Sequence, residues 1–364
     1  MAITFTKNPS NVLNPIFNNN TVIFSSSLIG TLTANINISF NGEEIGDFRI
    51  SPDPDGNFEF NFFEIIKASY LNSKDNFQDN IELSNVDDFD IETSSYNATV
   101  IFTVSNTSGG NQSITQSYKF YPSVHNFESE EVFLNTPTLL LPNQGINKAQ
   151  YNLTRFLGYP FDFSYFTSTN LQLTFRTNNY TNTNNTISRF FLCDGVENLV
   201  GVDNFETLET NSTITNYEDS DIIIKNKNRS CGSYLKWFNK SGGWSYWLFE
   251  PIEIDELNTG NIGEIQKGFE DWRESIGTSF STGKTANIRR SISAEGLEPY
   301  EFDYVKEIAD SPIIYFYHGS QNTIPTKPWE VVRLRQGTFR VKDKYNKFRS
   351  INFDIIFERN TQTF

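Results

Sequence analysis

Residues 34–40 read Ala-Asn-Ile-Asn-Ile-Ser-Phe. Ala34, Ile36, Ile38 and Phe40 alternate with Asn35, Asn37 and Ser39, the period of a half-buried strand. Asn41-Gly42 follows at once and predicts a tight hairpin turn, with Phe48 and Ile50 opening the return strand. This pattern recurs. Ser51–Asn57 is turn chemistry throughout, Phe58, Phe60 and Phe62 alternate again, and Phe63–Tyr70 reads as a short helix. Thr99–Val104 and Ile114–Phe120 read as strands joined by a hairpin tip at Ser105–Asn111, which contains Gly109-Gly110.

Composition agrees with the pattern. The chain has 364 residues, of which 37% are hydrophobic and 15% aromatic, with 34 Phe, enough to fill more than one core. Abundant Asn, Ser and Thr depress helix and favour turns, whereas Phe, Ile, Val and Tyr favour strands. The expected fold is mainly β, with two or three β-sandwich-like domains in tandem, a few short helices and an α+β C-terminal module. The expected boundaries are 1–134, 135–255 and 256–364. Pro137 and Pro142 flank Leu139–Leu141 in the first connector. In the middle region, Leu171, Leu173 and Phe175 alternate, Ile222–Ile224 reads as a buried strand, and Asn178–Asn185 reads as an exposed loop.

The last hundred residues change rhythm. Ala286, Ile288, Arg290 and Ile292 suggest a strand. Glu298–Asp310 reads as a helix with Pro299 in its first turn and Ser311-Pro312 as its stop. Strands are then predicted at Ile313–Tyr317, Trp329–Leu334, Thr338–Val341 and Phe348–Phe357, with Lys342–Lys347 as a charged connection.

Net charge is −15, which argues against a dedicated nucleic-acid site or binding to anionic lipid. The charge is uneven: residues 1–150 hold 6 Lys/Arg against 17 Asp/Glu, and residues 329–359 hold 8 against 4. Arg333 and Arg335 lie two apart on a predicted strand, so they should share a face and could clamp carboxylates on a neighbouring subunit. The N-terminus has neither a basic nor an apolar leader region, and no run approaches a membrane span. The expectation is a protein that is made in a cytoplasm and stays soluble.

Catalytic chemistry is hard to place. His125 and His318 fall in different predicted domains, without a nucleophile beside either. Cys193 and Cys231 are too few for a disulfide framework or a zinc site; a buried free pair and a bonded pair both remain open. Asp53 and Asp55, or Glu270 and Asp271 beside Trp272, could pair as carboxylates for glycoside hydrolysis, though no spacing rule selects them. Asp53-Pro54-Asp55-Gly56 does not follow a calcium-loop pattern and is more simply a turn. No catalytic residue, cofactor or metal is assigned.

The run from Tyr234 to Phe249 holds Trp237, Trp244, Tyr246 and Trp247 around Asn239–Gly243 and predicts two strands with a turn. These aromatics admit two readings. They are a sugar-stacking platform, or they are core or subunit interface, which their alternation on two adjacent strands favours.

Two segments carry a resemblance. Cys231–Asn239 followed by Gly242-Gly243-Trp244 is similar to a segment of virion proteins of tailed bacteriophages and prophages of Bacteroidetes. Val305–Tyr315, followed by Trp329-Glu330-Val331-Val332 and the closing strand Ile351–Glu358, resembles the C-terminal part of the same proteins. The resemblance covers residues 135–364, and the first domain only in style. It implies a structural tail component without cofactors: a ring, hub, baseplate or fibre-anchoring subunit. Its implied partners are copies of itself in a symmetric assembly and other tail proteins, and its implied place is the virion. The rivals are a carbohydrate-binding host-recognition protein and a glycan-degrading enzyme using paired carboxylates.

Overall fold

The computed structural model describes residues 2–9, 13–73, 88–92, 96–124, 138–139, 150–156, 158–167, 171–175, 178–182, 186–192, 212–217, 220–229, 231–250, 254–266, 279–318, 329–336, 349–358 and 362–363. Two compact units emerge. The first comprises Met1–Thr154, Pro160–Asn226 and Asn239–Trp244; the second comprises Arg155–Tyr159, Lys227–Phe238 and Ser245–Phe364.

The first unit begins with β1 (Ile3–Lys7), β2 (Asn14–Pro15), β3 (Thr21–Ser26), β4 (Leu32–Phe40), β5 (Glu43–Ile50) and β6 (Asn57–Asn61). Helix α1 (Phe63–Asn72), β7 (Asp88–Glu92), β8 (Tyr96–Asn106) and β9 (Asn111–Tyr121) follow. Strands β1-β3-β6 form one sheet and β2-β9-β8-β4-β5 another. Their inward side chains make one core, in which Phe24 stacks on Phe58 at 5.1 Å and meets Phe102 edge-on at 5.0 Å. The alternating residues Ala34, Ile36, Ile38 and Phe40 are all buried there. The hairpin after Phe40 turns on Asn41 at φ 49° and Gly42 at φ 87°, the left-handed pair a two-residue turn requires. Thus the sandwich expected at the N-terminus is present.

The same unit continues with β10 (Thr138–Leu139), β11 (Gln150–Phe156), β12 (Phe161–Thr167), β13 (Leu171–Phe175), β14 (Asn178–Asn182), β15 (Thr186–Leu192), β16 (Ser212–Tyr217) and β17 (Ser220–Lys227), with the ends of β11 (Arg155, Phe156) and β17 (Lys227) belonging to the second unit. Two further sheets form, β10-β12-β15-β7 and β11-β17-β16-β13-β14. Part of the expected exposed Asn/Thr loop is therefore a strand: Asn178–Asn182 pairs antiparallel with β13, from Leu171↔Asn182 to Phe175↔Asn178. An edge strand bonds along one side only, so it tolerates asparagine better than a central strand does. Residues 183–185 lie outside the described residues.

The second unit holds β18 (Ser233–Phe238), β19 (Trp244–Phe249), β20 (Ile254–Gln266), β21 (Ser279–Leu297), helix α2 (Pro299–Val305), a 3-10 turn at Lys306–Asp310, β22 (Ile314–Tyr317), β23 (Trp329–Leu334), β24 (Arg349–Glu358) and β25 (Gln362–Thr363). One large sheet runs β19-β18-β22-β23-β24-β21-β20, with β25 on β21. Phe302, Val305 and Ile308 of the helical segment are buried, as are Trp237, Ile314, Val332, Ile355 and Ile292 of the sheet. Glu298 caps α2 reciprocally with Glu301, and Pro299 occupies its first turn. The predicted strand Thr338–Val341 and the connection Lys342–Lys347 lie outside the described residues.

The expected boundaries differ from these units. Strand β7, assigned to the first of three domains, pairs with β15 of the second, Phe89 facing Phe190. The aromatic strands β18 and β19, assigned to the middle region, form one sheet with the C-terminal strands. Long-range strand pairing overrides chain order: the second unit takes in Lys227–Phe238 and, farther back, Arg155–Tyr159.

Candidate functional site

The aromatic run folds as the expected pair of strands. At the turn, Asn239 N–H donates to the Gly243 carbonyl at 2.9 Å, and Asn239 Oδ1 accepts from Ser241 N–H at 2.9 Å and Gly243 N–H at 3.1 Å. Gly242 sits at φ 93°, and the Tyr121 hydroxyl donates to its carbonyl. A Cβ at Gly242 would collide with the Tyr121 ring and reach 3.0 Å from the Pro122 carbonyl. Gly242→Ala is therefore expected to destabilise the first unit by about 1–3 kcal/mol through strain and lost packing. Chemical unfolding checks this, and an unchanged midpoint would contradict it.

All four candidate aromatics are buried: Trp237 is 0% exposed, Trp244 5%, Tyr246 3% and Trp247 3%. Trp237 packs edge-on against Tyr304 at 5.6 Å, and Trp247 against Phe156 at 5.1 Å. Lys227 Nζ sits 5.1 Å from the Trp247 ring and pairs with Glu301 at 2.6 Å. Tyr246 N–H donates to the Tyr304 hydroxyl at 2.8 Å. None of these rings has a face free for a sugar to stack on, so the platform reading loses its geometry at these positions.

A second aromatic group gathers on the other face of the sheet. Tyr234 lies 4.5 Å from Tyr159 and 6.1 Å from Trp329, and Tyr317 lies 4.8 Å from Trp329. Lys236 Nζ sits 4.3 Å from the centre of the Trp329 ring. Burial raises the phenol of Tyr317 to about 12, with Tyr159 adding to the effect. Burial also raises Tyr159, helped by the charge at Cys231. A raised phenol favours the neutral folded state. Its stabilisation is complete below the ordinary value of 10.0 and is lost as pH climbs towards about 12. Ultraviolet titration should show a late-ionising tyrosine class, reduced by Tyr317→Phe. An unchanged titration curve in that variant would contradict the assignment.

Arg333 and Arg335 both point to exposed surface at the end of β23, beside Val331, which is 52% exposed. Arg335 N–H donates to the Asp354 carbonyl at 2.8 Å, and its guanidinium lies 3.7 Å from the Asp354 carboxylate. Asp354 also accepts from Ser291 at 2.7 Å and Arg289 at 2.6 Å. Partial burial works against its charge, but Ser291, Arg289 and Arg335 outweigh it and hold the carboxyl below its ordinary value. The carboxylate clamped here thus belongs to the same chain. Arg340, Lys342, Lys344 and Lys347 lie outside the described residues.

One surface was missed in the sequence. Strand β20 ends the sheet, and among the described residues it pairs only with β21. Strand β24 backs β21 only from Asn287 onward, and β25 meets it at Gly283 and Lys284. Leu257 is 62% exposed on β20, and Ile262 and Ile265 are each 48% exposed. Two glycines, Gly260 and Gly263, and a register shift around Asn261–Glu264 break the alternation that would have marked this strand.

Other candidates settle individually. Cys231 is a free thiol and exposed, so the expectation of a buried pair is corrected for it; Cys193 lies outside the described residues. Asp53 serves a turn, its carboxylate accepting from Asn57 N–H at 2.7 Å and its carbonyl from Gly56 N–H at 3.0 Å. His318 Nε2 meets Glu330 at 2.6 Å. His125, Glu270, Asp271 and Trp272 are not among the described residues. Within those residues no group of three His, Cys, Asp or Glu is placed to hold a metal, and no helix is long and apolar enough to cross a membrane.

The fold and these surfaces define a mainly β protein with at least one sandwich. No protein-family model and no curated protein matches the chain. Among solved structures, fibronectin(III)-like modules of Clostridium thermocellum CbhA align at 6% identity and TM-score 0.19, over 62% of this chain and 94% of theirs. A Ca2+-stabilised ice-binding adhesin of an Antarctic bacterium aligns at 10% identity and TM-score 0.20, over 81% and 70%. SGBP-B of the Bacteroides ovatus mixed-linkage glucan utilization locus, solved with a heptasaccharide, aligns at 8% identity and TM-score 0.16, over 95% and 76%. Scores this low carry no argument about function.

Proposed function

We propose that this chain is a structural subunit of a tailed-phage virion, placed in the tail as a ring, hub, baseplate or fibre-anchoring component. It acts by associating with copies of itself and docking neighbouring tail proteins. The observation that supports docking most directly is the open edge of β20, with Leu257, Ile262 and Ile265 exposed along it. An unpaired strand edge presents backbone donors and acceptors to another chain, and exposed apolar side chains beside it add surface to bury. The place in a tail rests on the resemblance of Cys231–Trp244 and Val305–Glu358 to phage virion proteins.

Gold-labelled antibody against the chain, applied to intact tailed particles from the cells that make it, tests the placement. Label confined to the tail is the expected result, and label on the capsid, or on no particle, overturns it. The exposed arginines give a further expectation. Reversing Arg333 and Arg335 to glutamate should weaken assembly most at low salt, where repulsion is least screened. The effect should be modest, about 0–1 kcal/mol for each exposed pair. Sedimentation across ionic strengths measures it, and assembly equal to wild type at every salt concentration removes the arginines from the interface.

A further inference from the structure

We propose that the outer edge of β20 pairs with the same edge of a second copy of this chain, antiparallel about a two-fold axis through Leu257; this rests on the assembly reading above and names its contact. The edge is built to receive a strand. Every residue from Asp255 to Ile262 is exposed. Ile254–Asn261 runs in unbroken register with Ser291–Lys284 of β21, and the register shifts begin only after Asn261. Strand β24 supports β21 behind the first part of this stretch, from Asn287 onward. Ile254–Gly260 is therefore a regular strand of ordinary length, held in place by its neighbours.

One apolar row crosses the sheet and stops at this edge. Phe357 pairs with Ile288, and Ile288 pairs with Leu257. Exposure rises along the row: Phe357 is buried, Ile288 is half-buried and Leu257 is 62% exposed. An apolar side chain one strand farther out, about 5 Å away, would complete it. A two-fold axis through Leu257 supplies that side chain from the same residue of the second copy. The row then runs without a break from Phe357 of one copy to Phe357 of the other. Backbone pairing supplies affinity in such strand addition, and the alternate side chains supply selectivity.

Charge selects both the occupant and the register. Asp255 accepts two bonds from Arg290, at 2.7 and 2.9 Å, and Glu256 meets Arg289 at 3.1 Å. These acids are matched within their own chain, so the stretch offers a basic strand little to seek and does not repel its own copy. With the axis at Leu257, Asp255 falls opposite Thr259 and Glu256 opposite Asn258, a carboxylate beside a hydroxyl and a carboxylate beside an amide. An axis one residue earlier would set Glu256 against Glu256, and like charges directly opposite destabilise a strand pair. One residue later, Leu257 would meet Thr259 and the apolar row would stay incomplete. Because both copies use the same patch, the contact is isologous and closes as a dimer.

The test uses the full chain with Cys193 and Cys231 replaced by serine. Leu257→Cys and, as a control on the same strand, Ile262→Cys are made in separate proteins, and each is treated with a short bifunctional maleimide. Cross-linked dimer from Leu257→Cys, and far less from Ile262→Cys, is expected. The axis brings the two 257 positions side by side and holds the two 262 positions about 30 Å apart. No dimer from Leu257→Cys, or equal yield from both variants, overturns the proposal. Leu257→Asp sets two carboxylates against each other on the axis and should weaken dimerisation about tenfold or more, with the circular dichroism spectrum unchanged. A Leu257→Asp protein that dimerises like the parent in sedimentation also overturns it. If the parent chain assembles but Leu257→Cys does not cross-link, only this contact fails. If the parent remains a monomer, the assembly reading fails with it.

Discussion

Trp237→Ala is expected to lower the stability of the second unit by about 3–5 kcal/mol. Trp237 is 0% exposed on β18, which lies between β19 and β22, and it pairs in register with Ile314. Its ring meets Tyr304 at 5.6 Å. Its indole nitrogen has no hydrogen-bond partner. The substitution therefore sacrifices packing alone, and the loss is that of a cavity which sheet and helix close only partly. Trp237→Phe keeps an aromatic body and drops the unpartnered N–H, so it should recover most of the loss. Denaturant unfolding of both variants measures the effect. An alanine variant with an unchanged midpoint would contradict the placement of Trp237 in the core.

A second large effect is expected in the first unit. Arg189 holds Asp162 through two bonds, Nε to Oδ2 at 2.8 Å and Nη2 to Oδ1 at 2.9 Å. Each side chain is only 2% exposed. Two charges removed from water are stable together, but either one left alone is not. Arg189→Ala should cost about 3–5 kcal/mol, because the Asp162 charge then stays buried without this partner. Replacing both together, Asp162→Leu with Arg189→Met, should restore much of the loss, since apolar side chains of similar size often replace a buried pair without penalty. Denaturant midpoints of the single and double variants decide the matter. A double variant no better than the single one would show that the loss does not come from leaving the Asp162 charge without its partner.

What was legible in the sequence was local. The alternation from Ala34 to Phe40, the Asn41-Gly42 turn and Pro299 opening α2 each state their structure within a few residues, and each is found. The burial of Trp237 and Trp247 follows from the density of aromatics in their hairpin, since no surface needs so many. What was not legible depends on distance. Nothing local in Asp88–Glu92 announces that it pairs with Thr186–Leu192, and that pairing is what moves the domain boundary. The Asp162–Arg189 pair joins residues 27 apart in the chain and has no motif. Strand β20 escaped notice for a different reason: an edge strand with one face uncovered has no need of strict alternation, and Gly260 and Gly263 interrupt what there is. Asn178–Asn182 misled in the same way, because asparagine signals a turn unless a neighbouring strand fixes it. The candidate docking surface was thus half visible. Its basic side, around Arg333 and Arg335, stands out in composition, whereas its open edge needs the sheet order.

A tail subunit of the proposed kind must associate with copies of itself. Native mass measured on the purified protein over a wide range of concentration tests it most directly. A discrete, closed multimer that grows at the expense of monomer as concentration rises is the predicted result. A single monomeric mass at every concentration would contradict it.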